Sequence, residues 1–275
     1  MKTKKIFAVI IACLTCVLFT FINVKQVEAK TVNSKIVLPK GYTRSELLKA
    51  YQGNPSSSFI KASMNGMNDN TFSRTSSTES AKDNKEKVKF DKLTASQRKS
   101  LANYALKLIN GARKQLGLKP WVYSNGTQKL AADIAKEYQT HKKTIKNDHY
   151  VAGIVRACKK NGLNLNDNYV EDMAGFNAKS NVMTMTQAKK NIYFGLKQMI
   201  FGYAGPTESG RNNRSYYREW QHAGDLFNTQ GSRHDGDYNY FGFSVSRVGK
   251  TYTMHYISVP AFVINNPQYN VGFKK

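Results

Sequence analysis

The order in which two kinds of hydrophobic periodicity occur along this chain limits its fold more than any other feature. Apolar residues first recur at helical spacing, and near the C-terminal end they give way to β-type runs at 240–246 and 252–259, joined by a turn around Gly249. The clearest helix opens at Thr94, whose spacing to Gln97 fits a capping box. It continues through Leu101, Tyr104, Ala105, Leu108, Ile109, Ala112 and Leu116 to a stop at Gly117. Leu130, Ile134, Ala135 and Tyr138 mark a second helix, residues 151–160 a third that stops at Asn161 and Gly162, and residues 186–201 a fourth. A further strand is expected near 169–176. Helices first and strands late, without βαβ alternation, predict an α+β domain in which helices cover an antiparallel sheet.

The N-terminal end predicts export. Lys2, Lys4 and Lys5 precede an apolar run over 6–24 and the small-x-small sequence Val27-Glu28-Ala29, the pattern of a signal peptide spanning 1–29. An uncleaved membrane anchor is the alternative for that run, and no second stretch of spanning length follows. Cys13 and Cys16 lie in the leader, so Cys158 alone remains and no intramolecular disulfide is possible. Residues 30–92 are rich in Ser, Asn, Lys and Thr and read as a flexible spacer, interrupted at most by a short helix over 43–51. The folded domain is therefore expected over 93–275.

The whole chain carries a formal charge of +24, and loss of residues 1–29 removes four lysines and one glutamate, leaving +21. Such a chain is drawn to polyanions by a salt-sensitive attraction. On a Gram-positive-type envelope these are wall polymers such as teichoic acid. The lysines are spread without a nucleic-acid-binding signature, which argues against a specific nucleic-acid partner. The 265–275 segment shows no Leu-Pro-x-Thr-Gly sorting signal, so release, retention by charge and retention by the leader all stay open.

Imidazole is scarce: His141, His149, His222, His234 and His255 are the only sources. Asp148-His149 sits between the second and third helices, Glu171-Asp172 begins a strand, and Glu219 precedes His222 by three residues. Two imidazoles and a carboxylate that converge would suit a divalent metal such as zinc, or general acid–base work. The same three groups would equally serve as a hydrogen-bonded cluster tying helices to the sheet. His141 reads as a solvated helix end, His234 as a loop residue, His255 as a strand residue facing either way, and Cys158 as core. No His-Glu-x-x-His and no Gly-x-Ser-x-Gly occurs.

The order of these motifs over 93–260 resembles the CAP superfamily, named after cysteine-rich secretory proteins, antigen 5 and pathogenesis-related proteins. The resemblance rests on the first helix ending in Leu-Gly-Leu (116–118), Trp121, an Ala-rich helix, His149, a helix ending in Lys-Asn-Gly (160–162), Glu171-x-x-Ala174, and His222 before an aromatic-Gly-aromatic strand. Residues 93–173 look like the surface-exclusion branch, proteins that reduce entry of conjugative plasmids into cells already carrying them. The resemblance implies an α-β-α sandwich whose cleft holds His149, Glu171 and His222. The second carboxylate of the family falls in a region altered here by an insertion, 202–217, which leaves Glu208 or Glu219. The function so implied is a surface binding or interference module rather than an enzyme, with a surface protein of mating cells as partner. A metal-assisted envelope hydrolase, with His149 and His222 as metal ligands, and a cationic wall-binding adhesin are the alternatives.

Overall fold

The computed structural model describes residues 35–73 and 78–275, so the expected signal peptide lies outside the described residues. The segment before the main domain contributes α1 (Arg44–Tyr51), α2 (Ser57–Asp69), α3 (Thr78–Lys85) and β1 (Lys87–Lys89). Then follow α4 (Ala95–Gln115), β2 (Val122–Tyr123), α5 (Asn125–Thr140), α6 (Val151–Lys160), β3 (Glu171–Asn177), β4 (Val182–Thr184) and α7 (Met185–Phe201). The chain closes with α8 (Gln221–Leu226), β5 (Asn239–Val248), β6 (Thr251–Pro260) and α9 (Ala261–Asn265). The capping box expected at Thr94 is formed, with each partner taking the other's backbone N–H.

The main sheet has the order β2-β5-β6-β3, antiparallel throughout except for the two-residue parallel contact of β2 with β5. A separate β1–β4 ladder closes one side. Strand alternation divides the core in two. Met173, Ile257 and Val259 face α5, α6 and α9, whereas Ala174, Met254, Tyr256, Phe243 and Val245 face the layer containing α4, α7 and α8. The result is the expected α-β-α sandwich. Helix α5 can lie close on the sheet because β5 carries Gly242: a Cβ there would sit 2.5 Å from the Gln128 backbone nitrogen.

Residues 35–73 depart from the flexible spacer expected of them. Their apolar content is low, but what there is falls on one helical face. In α2, Phe59, Ala62, Ser63, Gly66 and Met67 are buried against α7 and α8. Small residues replace bulk at the contact. Gly66 admits the Phe201 ring, which a Cβ would meet at 2.3 Å, and Ser63 accepts a hydrogen bond from the Trp220 indole. Leu47 and Ala50 of α1 are also buried, and the Tyr51 ring fits over Gly224 of α8, whose Cβ would be 2.3 Å away. A low mean hydropathy therefore concealed an interface built from close backbone approach.

Because Phe59 covers Trp220, Tyr42 covers Phe227 and Tyr51 covers Gly224, a chain begun at residue 93 is expected to aggregate while one begun at residue 35 folds cooperatively. Phe59→Ala, at a site with no exposed surface, should lower stability by about 3–5 kcal/mol in urea titration. Equal urea midpoints for Phe59→Ala and the parent would contradict this packing.

Candidate functional site

Glu171 and Asp172 are consecutive on β3, so their side chains leave opposite faces of the sheet. Since β3 is an edge strand, groups from both helical layers can approach these carboxylates around the edge. His149, just before α6, places Nδ1 2.8 Å from Glu171 Oε2. His222, in α8, places Nδ1 2.8 Å from Asp172 Oδ1. The two imidazoles meet at the edge with ring centroids 5.9 Å apart, and both line a cleft of about 670 Å³.

The Glu171 carboxylate accepts from more than His149. His255 Nδ1 lies 2.6 Å from Oε1, and the Tyr138 hydroxyl donates to Oε2 at 2.6 Å. Tyr138 in turn accepts the Tyr150 backbone N–H, which fixes the start of α6 beside His149. Burial alone would push the Glu171 carboxyl up, but hydrogen bonds from His149 and His255 and their charge outweigh it and hold the group down at about 2. Ionised, Glu171 is an acceptor only, so both imidazoles carry their proton on the Nδ1 that faces it. Each cleft imidazole then presents Nε2, which has no partner among the described residues.

His222 is set differently. Burial would lower its pKa, but the Asp172 hydrogen bond and charge, with Asp225 and Glu219, raise it above the ordinary value. Asp225 is itself pushed well up by burial and by Asp172. The cleft thus holds two carboxylate-oriented imidazoles, the second of them biased towards the charged form. Glu219 lines the same cleft, while Glu208 does not, being paired with the buried Lys197 ammonium at 2.8 Å. Of the two carboxylates left open by the sequence, Glu219 is the one beside the imidazoles. The 202–217 insertion supplies one wall through Tyr203, Ala204, Gly205 and Pro206.

A zinc centre of the usual kind takes three protein ligands and leaves one position open. Both Glu171 oxygens and one of Asp172's are occupied by imidazole or phenol, and no group of three His, Cys, Asp or Glu side chains able to hold a metal ion occurs among the described residues.

The sequence left the facing of His255 open and read Ser246 and Tyr138 only as a strand and a helix residue. His255 Nε2 lies 2.8 Å from Ser246 Oγ, so Ser246, His255 and Glu171 have the hydroxyl–imidazole–carboxylate order of a hydrolase triad. Ser246 is 1 % exposed and His255 0 %, and neither lines the cleft that His149 and His222 share, so the hydroxyl is closed off from it. The chain is a buried brace behind His149. The register pairs Met173 with His255, which places His255 on the face of Glu171, two residues from Met173; that face was legible only once the pairing was known. His141 bonds back to its own helix at Glu137, His234 stacks on Phe262 at 4.0 Å, and Cys158 is core, its thiol pushed up to about 12 by burial and by Glu171.

No family profile and no curated protein sequence matches the chain. Among solved structures, the CAP domain of Enterococcal PrgA superposes with a TM-score of 0.64 at 23% identity, covering 89% of this chain and 91% of that one. The fold is therefore that of a CAP domain. The superposition is too long to be confined to residues 93–260, so it takes in much of the N-terminal helical segment as well.

Glu171 contributes stability in full above its ordinary pKa of 4.5, and this is lost as pH falls from 4.5 towards 2. The drop in its pKa corresponds to about 3 kcal/mol, so Glu171→Gln should lower unfolding free energy by roughly that amount near neutral pH. The gap to the parent should close as pH approaches 2; a gap independent of pH would contradict the assignment. In a histidine NMR titration, His222 should titrate above 6.5 and fall in Asp172→Asn.

Proposed function

We propose that this chain is an envelope-exposed binding module of the surface-exclusion type, with the cleft beside β3 as its recognition surface. The observation that carries the reading is the cleft on a CAP fold: His149, His222 and Glu219 line it, and the first two have their outward ring nitrogens unengaged among the described residues. The CAP fold, shared with the CAP domain of Enterococcal PrgA, together with the resemblance of residues 93–173 to the surface-exclusion branch, supports such a role at the surface of a Gram-positive-type cell. The leader read at 1–29 supports secretion, and the charge of +21 left after its loss supports retention near anionic wall polymers such as teichoic acid. The partner at the cleft would be a surface protein of a mating cell. Among the described residues no helix is long and apolar enough to cross a membrane.

A second reading has a specific observation in its favour. Each imidazole is held through Nδ1 by a carboxylate, the arrangement that orients a general base, and the raised pKa of His222 suits the acid partner. An envelope hydrolase would use His149 as base and His222 as acid on a bond lying between them.

Recipient cells expressing the chain should take up a conjugative plasmid less often than cells with an empty vector, and His149→Ala/His222→Ala should restore uptake. Unchanged uptake with the protein present on the surface would remove the exclusion reading. Turnover of peptides or wall fragments that disappears in the double variant would establish the hydrolase reading instead.

A further inference from the structure

The hydrogen-bond parity of β3 identifies what the cleft is built to receive. Ser258 N–H donates to Val170 C=O and Ala178 N–H to Lys250 C=O, and both pairs lie on the register that aligns Asp172 with Tyr256 and Ala174 with Met254. Even-numbered residues of this strand therefore direct their backbone groups to β6. The odd-numbered residues Glu171, Met173, Gly175 and Asn177 direct theirs the other way, to the open edge. Met173, Gly175 and Asn177 all line the cleft, and their N–H and C=O groups have no partner among the described residues. Unpaired edge groups of this kind are a template for another strand.

At Glu171 the chain already shows the complementary group. Asn168 Oδ1 accepts the Glu171 N–H at 2.9 Å and Asn168 Nδ2 donates to the Glu171 C=O at 3.0 Å. One side-chain amide thus takes both outward groups, as a peptide unit of a neighbouring strand would. Beyond it the pattern continues unfilled. The edge lies in a cleft lined also by residues from 145–149, by Phe194 and Gln198, and by 203–206.

From this geometry we infer that the cleft binds an extended polypeptide segment as an added strand on the edge of β3. The inference rests on the cleft being the recognition surface proposed above, and it names the partner's chemistry: a linear, unstructured stretch of protein rather than a sugar or a lipid. From Met173 to Asn177 the edge is about 14 Å long, which accommodates roughly five residues. Main-chain bonds would supply affinity and alternate side chains the selectivity, with one end of the peptide beside His149 and His222.

A phage-displayed library of unstructured 12-residue peptides, selected on the full chain, supplies the probe. A selected peptide should slow amide exchange at Met173, Gly175 and Asn177 and leave Ala174 and Phe176, already bonded to β6, unchanged. N-methylation of one alternating set of its residues should weaken binding at least about tenfold, while methylation of the other set should not. Failure to enrich any peptide, binding without protection of those amides, or equal effects of the two methylated sets would each overturn the inference. These readouts are independent of plasmid transfer. Unchanged transfer alongside protected amides would remove the exclusion reading and leave strand addition standing, whereas exclusion without protection would remove strand addition alone.

Discussion

The buried carboxylate of Glu171 is the group on which most of this architecture turns. An ionised carboxylate removed from water is tolerable only if its lone pairs are met, and here Tyr138, His149 and His255 meet them from α5, from the turn before α6, and from β6. One side chain thereby joins the central sheet to one helical layer and fixes the tautomer of an imidazole at the cleft. The adjacent Asp172 repeats the device on the other face with His222 of α8. Two neighbouring acids on an edge strand, pointing opposite ways by the pleat, hold two histidines from two layers at one opening.

That dependence explains why the N-terminal helices belong to the site although they do not line the main cleft. Helix α8 is short and has no side-chain cap at its start, so its position is set by what packs on it. Tyr51 over Gly224 and Phe59 against Trp220 supply that packing, and through α8 they set His222. The 202–217 insertion works at a different place, walling the cleft through Tyr203–Pro206 while Glu208 reaches back to Lys197. The cleft and the core share elements here, so substitutions far from the imidazoles are able to reach them.

The buried Ser246–His255–Glu171 chain separates arrangement from access. Its hydrogen bonds follow the order of a hydrolase triad, yet its hydroxyl is sealed in the sheet, and its physical role is to orient. The groups available for chemistry or binding are the Nε2 atoms of His149 and His222, the Glu219 carboxylate and the unpaired strand edge of β3. All of them line the same cleft, which is why recognition of a partner chain and cleavage of one are neighbouring possibilities for this geometry.

The sequence by itself determined the elements whose signals are local. Periodicity placed α4 to α7, β5 and β6 close to their observed limits, because an amphipathic helix and an alternating strand each write their buried face into a short window. The resemblance of motif order to the CAP superfamily, and not periodicity, singled out His149, Glu171 and His222. Tertiary structure alone decided the rest. The packing of α2 depends on small residues that let backbones approach, a contact that hydropathy does not register. The pairing of Asp172 with His222 joins residues 50 positions apart. The role of His255 depended on strand register, which sets which face each side chain leaves and which backbone groups stay unpaired. Register is a property of two strands together, and so no single stretch of the chain encodes it.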